Sequence, residues 1–258
     1  MPNVTVDSAV LHYEAAGEGP PLVLLHGIGS NSKSWSRQIA GLSSNFRVIA
    51  WDAPGYGGSS DPPKIQPSIR FYADTLRSFL DSLGLNKVFL LGHSLGGVIA
   101  RDFYRLFPDY ILALILADTR NAHSETGLEE RLKSIRTMTP AELAAKRAPK
   151  LLSRSATPDL VWEVESIMSE VRPQGYEFAA LALAESDTIR SLSVPTLLIW
   201  GTEDDITPVW KEIPDSAQLR IISGAGHLCY IEQPDEFNEI VRNFLLDRLG
   251  TDLGKKFE

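Results

Sequence analysis

Val88-Phe89-Leu90-Leu91-Gly92-His93-Ser94-Leu95-Gly96 carries an apolar, strand-like run straight into a G-x-S-x-G pentapeptide. A helix-like run from Val98 to Phe107 follows. A serine on so sharp a strand-to-helix turn has its hydroxyl forced out into a cleft. Glycines flank it because a side chain there would clash with the tight turn. The turn also sets Ser94 at a helix N-terminus, where free N–H groups and the positive dipole end favour developing negative charge. The strand–turn–helix context makes the motif specific.

A serine nucleophile needs a base, and the C-terminal third supplies one. His227 sits in Gly224-Ala225-Gly226-His227-Leu228, just after the strand-like Leu219-Arg220-Ile221-Ile222. An imidazole, with an ordinary pKa of about 6.5, takes and returns a proton near neutrality. Pro195-Thr196-Leu197-Leu198-Ile199-Trp200 reads as a buried strand, and the acidic Gly201-Thr202-Glu203-Asp204-Asp205 follows it. Serine, then acid, then histidine is the chain order of an α/β-hydrolase.

From about residue 10 to about residue 247 the chain resembles an α/β-hydrolase-fold enzyme. The family's oxyanion loop is matched by His26-Gly27-Ile28-Gly29-Ser30 after the strand Leu22-Val23-Leu24-Leu25, and its fourth-strand signature by Val48 to Ser59, with Asp52-Ala53-Pro54-Gly55 inside. The resemblance implies Ser94 as nucleophile and His227 as general base and acid. The family's G-x-x-D turn selects Asp204 as the acid that holds the imidazole. It also implies the backbone N–H groups of Leu95 and Ile28 as the two oxyanion donors.

Rivals stand beside these assignments. Glu203 and Asp205 flank Asp204, and Asp118 ends the strand-like Ile111-Leu112-Ala113-Leu114-Ile115-Leu116-Ala117, a position from which some members of the fold take their acid. His93 is expected to point away from the cleft edge that Ser94 faces and is read as packing or a mild substrate contact. Asp52 is read as tying down its own Pro-Gly loop, and Cys229 as a buried thiol.

Composition bounds the rest. A chain of 258 residues is long enough for one large α/β domain with a sizeable core. A single cysteine excludes an internal disulfide and fits a reducing compartment. Met1-Pro2-Asn3-Val4 begins no leader, and no apolar run approaches the ~20 residues of a membrane helix. The expectation is a cytoplasmic enzyme with no membrane association. A net charge of −8 argues against nucleic acid as a partner. The five histidines show no metal-ligand spacing, and neither a phosphate loop nor a dinucleotide fingerprint occurs. Neither metal nor cofactor is implied, and oligomeric state stays open.

The pattern predicts strands near 4–6, 10–14, 22–25, 47–51, 87–91, 111–117, 195–200 and 219–222, and helices near 32–42, 68–83, 94–107 and 234–248. A frayed tail is expected from Asp247. Alternation of this kind means an eight-stranded, mostly parallel sheet with helices on both faces and its site at the strand C-terminal ends. Residues 121–190 break the alternation and are helical by pattern, where the family inserts a helical cap. The expected organisation is core 1–120, cap 121–190 and core 191–258. Trp162, Ile167, Met168, Tyr176, Phe178 and Leu181 are the cap's pocket candidates. Trp162, Met168 and Leu181 are taken, with His26 and Gly27, as substrate-binding. From 131 to 154 seven basic residues face one acid, Glu142. They read as a solvated surface or, if turned inward, as a hold on a substrate carboxylate.

The expected activity is hydrolysis of a small-molecule carboxylic ester or lactone through an acyl-enzyme, in the manner of the capped enzymes resembling 3-oxoadipate enol-lactonases. A meta-cleavage C–C hydrolase with the same triad is the alternative. From another class, a non-catalytic small-ligand receptor is the rival. A serine at position 94 argues against the dehalogenases and epoxide hydrolases of this fold, which use aspartate there.

Overall fold

The computed structural model describes residues 2–6, 8–121, 127–185 and 192–254. Eight strands form one sheet: β1 (Asn3–Val6), β2 (Ala9–Ala16), β3 (Pro21–Leu25), β4 (Arg47–Trp51), β5 (Val88–His93), β6 (Ile111–Ala117), β7 (Thr196–Gly201) and β8 (Ala217–Ile222). Their order is β1-β2-β4-β3-β5-β6-β7-β8. β1–β2 and β2–β4 pair antiparallel, and every other neighbour is parallel. Chain direction across the sheet reverses between β3 and β5, so a crevice opens beyond their C-terminal ends.

The central strands are continuous apolar runs because both faces are covered. Val23, Leu25, Ile49, Trp51, Leu90, Leu114, Leu198 and Trp200 enter one core. Their neighbours Leu22, Leu24, Val48, Ala50, Phe89, Leu91, Ile115, Leu197 and Ile199 enter the other. Helices α2 (Ile69–Ser82) and α3 (Leu95–Leu106) seal the first core through Tyr72, Leu76, Phe79 and Phe103. Helices α1 (Ser36–Leu42), α8 (Cys229–Glu232) and α9 (Pro234–Gly254) seal the second, α9 through Phe237, Val241, Phe244 and Leu245.

Among the described residues four helices lie between β6 and β7: α4 (Leu128–Thr137), α5 (Pro140–Leu151), α6 (Pro158–Met168) and α7 (Pro173–Ala184). Thr139 and Glu142 close the capping box that opens α5, and the Thr157 side chain caps α6. α4 and α7 continue the first core through Ile135, Phe178 and Ala182, and α5 and α6 the second through Ala144, Ala148, Val164 and Met168. This segment therefore straddles the C-terminal edge of the sheet. The expected boundary near 190 lies outside the described residues.

Two expectations are corrected. The helix foreseen over 32–42 begins as a 3-10 turn, Ser32–Trp35, because the Asn31 side chain accepts from Lys33 N and tightens the first turn. The tail expected from Asp247 is helical to Gly254. Leu245 and Leu249, one turn apart, both pack on the second core and carry the helix on. No described helix is long and apolar enough to cross a membrane.

Candidate active site

Ser94 is held in a conformation that residues with a Cβ avoid, φ 51° and ψ −113°. The turn around it leaves no alternative. A Cβ on Gly92 would stand 2.2 Å from the Gly96 carbonyl oxygen, and one on Gly96 would stand 2.1 Å from that of Leu25. Ser94 N–H donates to the Ala117 carbonyl at 3.0 Å. Its own carbonyl accepts the Thr119 hydroxyl at 2.6 Å. α3 starts at Leu95, so the helix N-terminus points at the serine.

His227 follows β8 and has its side chain 5% exposed, while that of Asp204, after β7, is 1% exposed. His227 Nδ1 lies 2.9 Å from Asp204 Oδ2. Asp204 Oδ1 accepts from Ile206 N at 2.8 Å and Thr207 N at 3.0 Å, so backbone donors fix the carboxylate that faces the imidazole. Its neighbours are otherwise engaged. Glu203 accepts from Arg154 N at 3.0 Å, and Asp205 is exposed.

Asp118 does not face the imidazole nitrogen. It is fully buried at φ 43°, with Oδ1 accepting from Gly201 N at 3.0 Å. Burial, then the charge of Asp204, pushes its carboxyl well above the usual carboxylate range. Cys229 is buried as expected, and burial pushes its thiol up. Asp52 ties down its loop as expected, accepting from Ser32 N at 2.7 Å and Gly58 N at 2.8 Å with His12 Nδ1 at 2.7 Å.

A cavity of about 670 Å³ opens on Ser94, His227, Gly27, Ile28 and Leu95. Its far wall comes from Arg131, Leu151, Val164, Met168 and Leu183 of the helical segment. The end of α5 is clamped to the histidine loop. Glu232 accepts from Ser153 N at 2.9 Å and from Gly226 N at 2.6 Å, and Leu228 N donates to the Leu151 carbonyl at 3.2 Å.

Several expectations fail on geometry. His26 does not reach the cavity: Nδ1 meets the Gly27 carbonyl at 2.9 Å and Nε2 accepts from Ala53 N at 3.0 Å, so the ring ties the 26–29 loop to the loop after β4. Burial lowers its pKa, which suits the neutral imidazole that this pairing requires. Trp162 is 69% exposed and faces solvent. Val164 and Met168, a helical turn apart, take the inner face of α6, and Trp162, two residues before Val164, falls on the outer one. The same offset turns Leu181 away and Leu183 in. Tyr176 and Phe178 are buried in the first core, Phe178 against the Phe71 ring at 5.2 Å. Of the six pocket candidates, Ile167 and Met168 line the cavity.

For His93 the expected direction is corrected, while the allowance for a substrate contact is not contradicted. Its ring lines the cavity between His227, 4.8 Å away, and Tyr230, 4.9 Å away. Its Nε2 lies 2.8 Å from the His227 carbonyl, to which it donates. Burial, then the neighbouring His227, holds its pKa well below the ordinary value, so it is a neutral donor that braces the histidine loop. Its place next to Ser94 on an inward-facing strand was the available signal.

A family model described as the alpha/beta hydrolase fold matches residues 20–234. The chain belongs to that family. It is similar in structure to a thermophilic esterase from Thermogutta terrifontis solved with malate bound, with 30% identity, a TM-score of 0.88, and 95% of this chain and 98% of that one covered. An enol-lactonase from Burkholderia xenovorans gives 26% identity and a TM-score of 0.86, covering 95% of this chain and 100% of that one. In sequence, 3-oxoadipate enol-lactonase 2 of Acinetobacter baylyi is 28% identical over 92% of this chain and 94% of its own length. This alpha/beta hydrolase thus stands among esterase-type and lactonase-type relatives. Among its described residues no cluster of His, Cys, Asp or Glu could hold a metal ion.

Proposed function

We propose that the protein is a serine hydrolase of a carboxylic ester or lactone of a small organic acid. The carrying observation is the Asp204–His227 pair at 2.9 Å opening on the same cavity as a positive-φ Ser94. In this reading Ser94 Oγ attacks the carbonyl carbon and its proton passes to His227 Nε2. Asp204 keeps the imidazole Nδ1–H oriented and stabilises the cation. The oxyanion is received by Leu95 N–H and Ile28 N–H, both on the cavity wall. The C–O bond then breaks and His227 returns the proton to the departing alkoxide; in a lactone that alkoxide stays tethered to the acyl group. Water, deprotonated by His227, releases the acid and restores Ser94. The helical segment 128–184 acts as a cap that keeps bulk water from the acyl-enzyme.

A p-nitrophenyl ester series, run with wild type beside Ser94→Ala, tests the proposal. Wild type is expected to turn over, and the variant to lose at least about 10³-fold in kcat. Equal turnover in the variant overturns it.

A further inference from the structure

Two guanidinium groups in the active-site cavity have no acidic partner among the described residues. Arg131 on α4 and Arg147 on α5 line the cavity that holds Ser94, and both are half-buried. The rest of the basic stretch is accounted for elsewhere. Arg136 pairs with Glu177, Lys146 lies 3.3 Å from Glu130, and Lys133, Lys150 and Arg154 are exposed. Neither the Arg131 nor the Arg147 side chain makes a hydrogen bond or ion pair among the described residues. Arg120, also on the cavity wall, already donates to the Leu183 carbonyl.

The two lone charges sense each other. Burial first, and repulsion from Arg147 after it, lowers the Arg131 pKa, with Tyr176 and Tyr56 acting the other way. Beside Arg131 the Tyr176 hydroxyl is buried without a hydrogen-bond partner. Like charges held together in a partly desolvated cavity are unfavourable on their own, and an anion between them relieves the repulsion. A guanidinium offers a planar fork of N–H donors that matches two carboxylate oxygens. Val164, Ile167, Met168 and Leu183 supply the apolar lining of the segment's side of the cavity.

We infer that Arg131 and Arg147 together bind a free carboxylate carried by the substrate, so that the scissile bond belongs to a half-ester of a dicarboxylic acid or to a lactone that bears an acid. The inference rests on the serine-hydrolase reading and narrows it. Hydrolysis of such a substrate turns one carboxylate into two, or a lactone acid into a hydroxy or oxo diacid.

The test uses two esters of matched length, p-nitrophenyl pentanoate and mono-p-nitrophenyl glutarate, with wild type, Arg131→Gln, Arg147→Gln and the double variant. The ratio of kcat/KM for the anionic ester to that for the neutral one is expected to fall roughly tenfold in each single variant and further in the double, through KM. Arg131→Lys and Arg147→Lys should recover part of the ratio. A ratio that holds within about twofold in the double variant overturns the inference. A second measurement needs no turnover. Calorimetric titration of Ser94→Ala with glutarate should show saturable binding that the added Arg131→Gln and Arg147→Gln changes abolish, and glutaramide should not bind. Glutarate binding equally well, or not at all, in both backgrounds overturns the inference. If both esters turn over without need of Ser94, the hydrolase reading fails, and the titration still decides the carboxylate site.

Discussion

The loops at the ends of β3, β5, β7 and β8 and the helices between β6 and β7 build one cavity by different means. In the loops the backbone does the positioning. Gly92 and Gly96 sit where a Cβ would strike main-chain atoms, Ser94 takes φ 51°, and two backbone N–H groups hold Asp204. In the helices side chains do it, and which ones depends on rotation about each axis. Val164 and Met168 point in while Trp162 points out, and Leu183 lines the wall in place of Leu181. Constraints of the first kind admit few residue types and so leave marks in the sequence. Constraints of the second kind admit most apolar residues and leave almost none.

If the loops hold the chemistry, Asp204→Asn strikes hardest. It should cut kcat by about 10⁴-fold with little change in Tm, since the wrong tautomer is held in the right place. A loss under about tenfold would return Asp118 as the acid. Gly96→Ala comes next. Its Cβ cannot be accommodated 2.1 Å from the Leu25 carbonyl oxygen. A destabilisation above about 4 kcal/mol in chemical denaturation is expected, and an ordinary helix-propensity gain would break the backbone argument.

The helical segment calls for a paired test. Met168→Ala should cost about 2–5 kcal/mol and widen the cavity, raising KM for small esters. Trp162→Ala, on the same helix but 69% exposed, should stay within about 0.5 kcal/mol of wild type and leave KM alone. Equal effects would erase the distinction between the two faces of α6.

The smallest effect is a slope. Asp118 is raised in the native state by burial and by Asp204. Its contribution to stability is therefore complete below the unfolded value, near about pH 4, and is lost as pH rises through the native value. Asp118→Asn has no proton to lose and keeps an acceptor for Gly201 N–H. Its Tm relative to wild type should climb from about pH 4 to about pH 8, and a constant difference would rule this out.

The sheet and the loop residues were legible because each carries a strong local signature: apolar runs of four to seven residues in β3, β5 and β6, and glycines beside Ser94. Asp204 and Asp118 each follow a buried strand. Only the fold shows that the Asp204 side chain meets Nδ1 while that of Asp118 turns to Gly201. The role of His26 and the direction of His93 were misread for one reason. A histidine in a core is a hydrogen-bonding strut or a cavity wall according to its neighbours in space, and sequence spacing does not report them. The wall residues Leu151, Val164 and Leu183 were missed because helix phase was unknown, and Arg131 and Arg147 could not be told from their solvated neighbours until their orientation was seen.

The clamp between the end of α5 and the histidine loop ties two events together. Glu232 grips Ser153 on one side and Gly226 on the other, and Gly226 precedes His227. The Leu151 wall of the cavity and the loop that carries His227 are thereby joined through Glu232. On the proposed mechanism, a molecule that displaces Leu151 is expected to disturb His227 too, so that a poorly fitting substrate fails at proton transfer as well as at entry. If the chain hydrolyses an ester as proposed, its selectivity should be written in turnover numbers as much as in affinities.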